Sequence, residues 1–215
     1  MTKGASNAFN FRSLGLIPYL KGLKIQQNYV DLVQMGKLKG IILFCEHYPV
    51  YTFGRRQTID KSLSNIADVV KIQRGGQTTY HGPGQICIYP IINLKDINMG
   101  IRDYVYSLES IVIKFLSLYG VIGYRSTSNG VFHENKKISS VGVHVQRFVT
   151  CHGISININN TTLPWFNRIV PCGLSNVEMA TLQSINNQKY ASSTLIPHLK
   201  TTFEQEWDIK LIKTQ

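Results

Sequence analysis

The chain reads as an α/β protein: a mixed β-sheet with helices packed against it. Three observations point there. Short apolar runs with strand character recur along the whole chain. Two long stretches carry apolar residues at helical spacing instead. The two kinds of segment intermix without the regular alternation of a doubly wound fold. A length of 215 residues suits one domain, residues 1–215, and 43% hydrophobic content is ample for a core. No apolar run approaches the roughly 18 residues that a membrane span requires.

Residues 9–17, "FNFRSLGLI", alternate and predict a first strand. Pro18 suits the first turn of a helix over 18–35 that stops near Gly36. "IILFC" predicts a buried strand running into "EHYPVYTFG". Strands over 68–73 and 85–94 flank the loop "RGGQTTYHGPGQ", Arg74 to Gln85. Residues 101–119 place Tyr104, Leu108, Ile111, Val112 and Phe115 on one helical stripe, closed by Gly120. "GVFHENKKISSVGVHVQR" predicts a hairpin turning at Asn135, and "CHGISININ" a further strand. "TTLPWFNRIVPCGL" predicts a short helix with an irregular exit, and 191–206 a C-terminal helix. Strand alternation would put Lys137, Ser139, Val141 and Val143 on one face of the hairpin's second strand, with Lys136, Ile138 and Ser140 on the other.

The loop from Arg74 to Gln85 needs a reason. A plain connector takes only a few residues and no cluster of hydrogen-bonding groups. Long polar loops held between rigid strands are where binding sites lie. There is no G-x-G-x-x-G and no G-x-x-x-x-G-K-[ST], so nothing here specifies a nucleotide.

Cys45, Cys87, Cys151 and Cys172 include no C-x-x-C pair, which argues against a zinc or thioredoxin-like site and for a reducing compartment. Cys45 and Cys87 sit inside apolar strands and read as packing. Cys151, at the start of a strand, is undecided between packing and chemistry. Cys172 stands between Pro171 and Gly173 on a turn, where an exposed thiol is a candidate acyl-accepting nucleophile. A nearby cation would favour its thiolate, and Lys137, His81, His152 and Arg74 are the candidates. The net charge of +11 is scattered, with no nucleic-acid-binding motif, so acidic protein partners are expected rather than nucleic acid. Lys3, Arg12, Lys21 and Lys24 all precede the first acidic residue, Asp31. A mitochondrial targeting segment, where one exists, is expected to have been largely removed, because about eight residues precede the first strand.

"RGGQTTYHGPGQ", "KISSVGVHV", "CHGISININ" and "WFNRIVPCGL", in that order, resemble the octanoyltransferase family of lipoyl synthesis, and the similarity runs from about Phe11 to about Leu182. The resemblance implies a fold like the catalytic domain of biotin and lipoate protein ligases. It also implies transfer of an octanoyl group from octanoyl-acyl carrier protein to a lysine of a lipoyl domain. Acceptors would be lipoyl domains of 2-oxoacid dehydrogenase complexes and the glycine cleavage H protein, in mitochondria or a bacterial cytoplasm. Cys172 would carry the acyl thioester, and Lys137 would favour its thiolate and relay protons. Arg74, Gly75, Gly76, Gln77, Thr78, Thr79, Tyr80 and His81 would line the acyl site. Ser140, Val141, Gly142, Gly153, Ile154 and Ser155 would complete it. A thioester donor is already activated, so no cofactor, metal or ATP is implied. Ala180, followed by Thr181, stands where the family often has a hydroxyl residue, and no role is assigned there. An ATP-dependent lipoate or biotin ligase and a non-catalytic acyl-carrier-binding module are the alternatives; the first needs no catalytic cysteine, and the second would be unharmed by serine at 172.

Overall fold

The computed structural model describes residues 8–55, 57, 61–173 and 177–214. Lys3, part of the basic start read as a targeting remnant, lies outside them. In chain order the elements begin β1 (Ala8–Ile17), α1 (Tyr19–Gln34), β2 (Gly40–His47), β3 (Val50–Phe53), β4 (Asp68–Lys71), β5 (Thr79–His81), β6 (Gln85–Ile92) and α2 (Ile101–Ser117). They continue with β7 (Tyr124–Arg125), β8 (Val131–His133), β9 (Lys136–Gln146), β10 (Val149–Asn157), α3 (Leu163–Phe166), α4 (Leu182–Asn186), α5 (Ser192–Trp207) and β11 (Lys210–Lys213).

An eight-stranded sheet runs β11-β1-β2-β6-β10-β9-β8-β7, and β4-β3-β5 form a small second sheet. β1 is parallel to both β11 and β2, while the other pairs of the large sheet are antiparallel. The sheet is mixed, as expected. Its central strands are apolar on both faces. On one face Ile42 and Phe44 of β2 and Ile86 and Ile88 of β6 pack with α2 and α5 residues such as Leu108, Phe115, Leu199 and Phe203. On the other, Ile41, Leu43 and Cys45 with Cys87, Tyr89 and Ile91 meet Val30 and Val33 of α1. The predicted helix and strand cores fall within one to three residues of the observed elements; β3, β5, β7, β11 and α4 carry no separate sequence signal.

Two irregularities in this sheet shape the cavity beside it. Pro90, inside β6, has no N–H for the ladder. The β6–β10 pairing ends at Ile88↔Ile154. Beyond that point the Thr150 hydroxyl takes over: it donates to Pro90 O at 2.8 Å and accepts from Ile92 N at 3.1 Å. β10 bends between, at His152 with φ 60°. Gly153 is required there, since a Cβ would lie 2.3 Å from Ile88 O.

The second irregularity corrects the simple alternation expected for β9. Val131 pairs with Ser139 but Phe132 pairs with Lys137, leaving Ile138 as an extra residue. This bulge inverts the facing of the strand beyond it. Ile138, Val141, Val143 and Val145 therefore pack on the α2 side of the sheet. Lys137, Ser140 and Gly142 share the opposite side, contrary to a strict period of two.

Candidate active site

Lys137 enters the site from the bulge, fastened at three points. Its N–H donates to Glu178 O and its carbonyl accepts from Ala180 N, both at 2.8 Å. Its ammonium donates to Asn129 O at 2.7 Å, and the residue is 2% exposed. Lys136 points away: it is exposed and pairs with the Glu178 carboxylate at 2.8 Å. The hairpin turn between β8 and β9 is at Glu134–Asn135, with φ 45° and 65°.

Cys172 occupies the single helical turn Pro171–Gly173, with φ 55° and ψ 20°. This left-handed conformation is uncommon for a residue with a side chain and is held by its surroundings. Its N–H donates to Thr78 O at 2.9 Å. Gly173 has φ 71°, packed so that a Cβ would lie 1.9 Å from the Gln77 amide oxygen. The Cys172 Sγ lies 3.8 Å from Ser140 Oγ. Cys45, Cys87 and Cys151 are buried and Cys172 is not. Burial pushes Cys87 up to about 12 and Cys151 up to about 11, so these thiols stay protonated.

Arg74 organises the Gly-rich loop. Its Nη1 donates to Gly75 O and Gln77 O, both at 2.9 Å. Its Nη2 donates to Thr52 O at 3.1 Å and Thr52 Oγ1 at 2.9 Å. These bonds use four of the five N–H donors on a guanidinium. Gly142 is fitted to this arrangement: a Cβ would lie 2.9 Å from Arg74 Cδ.

His81 and His152 are poor sources of positive charge. Burial, with His47 and then Arg74 and His152 nearby, lowers His81 to about 3, although its bond to Gln85 resists this. Burial and the Arg74 charge lower His152 to about 4. Both are neutral at pH 7. Two of the four candidate cations are thereby removed, which leaves Lys137 and Arg74.

These residues surround a cavity of about 420 Å³. Arg74, Gly75, Gly76, Gln77, Thr79 and His81 line it from the loop side. Lys137, Ser140, Val141, Gly142, Gly153, Ile154, Ser155 and Cys172 line it from β9, β10 and the cysteine turn. Two residues expected at the acyl site do not line it. Thr78 offers its carbonyl to Cys172, and the Tyr80 ring is buried in a stack on Trp165, with centroids 5.2 Å apart. Sequence reading missed Tyr19, Tyr89, Val105, Val143 and the turn Thr127–Asn129, which also line the cavity. Thr181, beside Ala180, is occupied in capping α4: its hydroxyl accepts from Ser184 N at 2.9 Å.

A mixed sheet flanked by helices, with a Gly-rich loop beside one cavity, is the fold of the lipoate and biotin protein ligase catalytic domains. The fold matches a crystal structure of lipoate-protein ligase A bound with ATP: the TM-score is 0.75 at 14% identity, covering 96% of this chain and 88% of that one. It matches biotin protein ligase from Aquifex aeolicus with a TM-score of 0.59 at 16% identity, over 93% and 70% of the two chains. Residues 18–204 match the lipoyl protein ligase A/B catalytic domain model, and the chain belongs to that family. Among its relatives is the mitochondrial octanoyl-acyl-carrier-protein:protein N-octanoyltransferase LIPT2 of Danio rerio, 36% identical over 98% of this chain and 96% of that protein. The mitochondrial octanoyltransferase LIP2 of Arabidopsis thaliana is 35% identical, over 89% and 83%. An octanoyltransferase of Thermoanaerobacter is 37% identical, over 80% and 78%.

Proposed function

We propose that this chain moves an octanoyl group from octanoyl-acyl carrier protein to a lysine of a lipoyl domain, through a thioester on Cys172. The observation that carries this reading is that Cys172 and Lys137 line one cavity. Cys172 is the one cysteine that is not buried, and Lys137 is anchored there by its bond to Asn129 O.

The steps balance without an added reactant. The Cys172 thiolate attacks the thioester carbonyl, and the carrier's sulfur leaves with a proton from the Lys137 ammonium. The neutral Lys137 then takes a proton as the acceptor amine attacks the acyl-cysteine. The amide forms and the Cys172 thiolate is regenerated. Exchange of one thioester for another is nearly even, and amide formation drives the second step. The Gly-rich turn over the cavity supplies backbone N–H donors for the oxyanion. Arg74 shapes that turn and is not a proton relay.

The +11 charge suits acidic carrier proteins and lipoyl domains, including those of 2-oxoacid dehydrogenase complexes and the glycine cleavage H protein. Mitochondria are the proposed location, supported by the names of the Danio and Arabidopsis relatives. The test is transfer from octanoyl-acyl carrier protein to an unmodified lipoyl domain without ATP. Amide formation under those conditions is expected. Transfer from free octanoate with ATP alone would replace this reading by ligation.

A further inference from the structure

The Asn129–Gly130 peptide group is gripped from both ends. Its carbonyl oxygen accepts from the Lys137 ammonium at 2.7 Å. Its N–H donates to Glu109 Oε1 at 2.7 Å, in a buried contact. One amide therefore stands between a carboxylate and an ammonium. Glu109 lies on α2 and is 6% exposed. A buried glutamate is rare without a partner. Its other oxygen lies 3.3 Å from Arg125 Nε, without hydrogen-bond geometry, and Arg125 itself stacks on Tyr106 at 3.5 Å.

Gly130 makes this amide both close to Lys137 and in need of restraint. Its φ is 127°, and a Cβ would lie 2.8 Å from Lys137 Cε and 2.2 Å from Ser139 O. Only glycine fits. Glycine also permits the neighbouring peptide to rotate cheaply. A rotated peptide would turn its carbonyl away and present a donor to the ammonium. The carboxylate opposes that rotation with a charge-assisted bond, which is stronger than a neutral one. It also polarises the amide, making the carbonyl a better acceptor on the Lys137 side.

We propose that Glu109 is a positioning residue for the reaction: through the Asn129–Gly130 peptide it fixes where the Lys137 nitrogen sits. The inference rests on the reading of Lys137 as the proton-handling residue. Glu109 does not touch the cavity. Its removal should therefore spare donor binding and slow the chemical steps.

The experiment compares Glu109→Ala, Glu109→Gln and Val112→Ala in octanoyl transfer from octanoyl-acyl carrier protein, with thermal midpoints measured beside kcat and KM. Glu109→Ala is expected to lower kcat about tenfold or more while KM for the donor stays within about twofold. Glu109→Gln keeps an oxygen for the Gly130 N–H and should return kcat to within about threefold of wild type. Val112→Ala truncates the same helix in the core and should lower the midpoint without this loss of kcat. Glu109→Ala also strands Arg125; Glu109→Ala/Arg125→Ala removes that charge and should show the same loss of kcat where the single variant does not fold. The proposal is overturned if a folded Glu109→Ala or double variant keeps its kcat. It is equally overturned if Glu109→Gln falls as far as Glu109→Ala, or if Val112→Ala loses as much. Lys137→Ala separates the two layers. If it retains transfer, the reading of Lys137 itself fails; if it is inactive while Glu109→Ala is not, only this inference fails.

Discussion

Replacing Arg74 by lysine keeps the charge and removes the fork. In the native structure four N–H groups bind Gly75 O, Gln77 O, Thr52 O and Thr52 Oγ1. A lysine ammonium is a single point and can serve the Thr52 pair or the loop carbonyls, not both. About two of the four bonds are then lost. Hydrogen bonds to charged groups contribute about 1.5–3 kcal/mol each, and loop relaxation recovers part of that, so a destabilisation of roughly 2–4 kcal/mol results. For a chain of this size it corresponds to a Tm lower by roughly 5–15 °C. Urea and thermal unfolding followed by tryptophan fluorescence would read it, because Trp165 stacks on Tyr80 at the end of this loop. Transfer should fall in parallel as the Gly-rich turn loosens. Unchanged stability together with lost transfer would refute the reasoning: Arg74 would then act on the substrate, and its four protein contacts would be incidental.

Lys137→Arg should bring transfer near background in a folded protein, since arginine keeps the charge but does not give up its proton, while Lys136→Ala should stay within a few-fold of wild type. The reverse pattern in steady-state rates would mean that the wrong lysine faces Cys172. His47, His81 and His152 are lowered by burial to about 4, 3 and 4, so the unfolded chain binds more protons than the folded one between those values and the ordinary 6.5. Stability is thus complete above about pH 6.5 and lost as the pH falls toward 4. Urea unfolding at pH 7.5 and 5.5 should differ by about 1 kcal/mol per histidine, and coincident midpoints would show that these rings are not buried neutral.

Much of this site is legible in the sequence where the signal is local. The loop from Arg74 and the Pro-Cys-Gly turn announce themselves through residue type and spacing, whereas Lys137 before "ISSVG" stands out from the other candidate cations only through the resemblance to the octanoyltransferase family. The long helix at Ile101–Ser117 has enough turns to show its period. β5 and β7, with three and two residues, are too short to show one. The facing of β9 escapes sequence reading for a different reason. A bulge is a property of two strands in register, and neither strand alone reveals that Ile138 is extra. Pro90 is visible, but its consequence falls on another strand, at His152 and Gly153. Glu109 illustrates the same limit: a glutamate inside a buried helical stripe is a signal, yet its partner is a peptide twenty-one residues onward, brought near only by the fold.

The central claim is that Cys172 carries the acyl group. Mixing the protein with octanoyl-acyl carrier protein and no acceptor, then measuring intact mass and mapping the label, tests it directly. One octanoyl group on Cys172, released by hydroxylamine and absent from Cys172→Ser, is the predicted result. A label on buried Cys151, or full transfer activity retained by Cys172→Ser, would contradict the account.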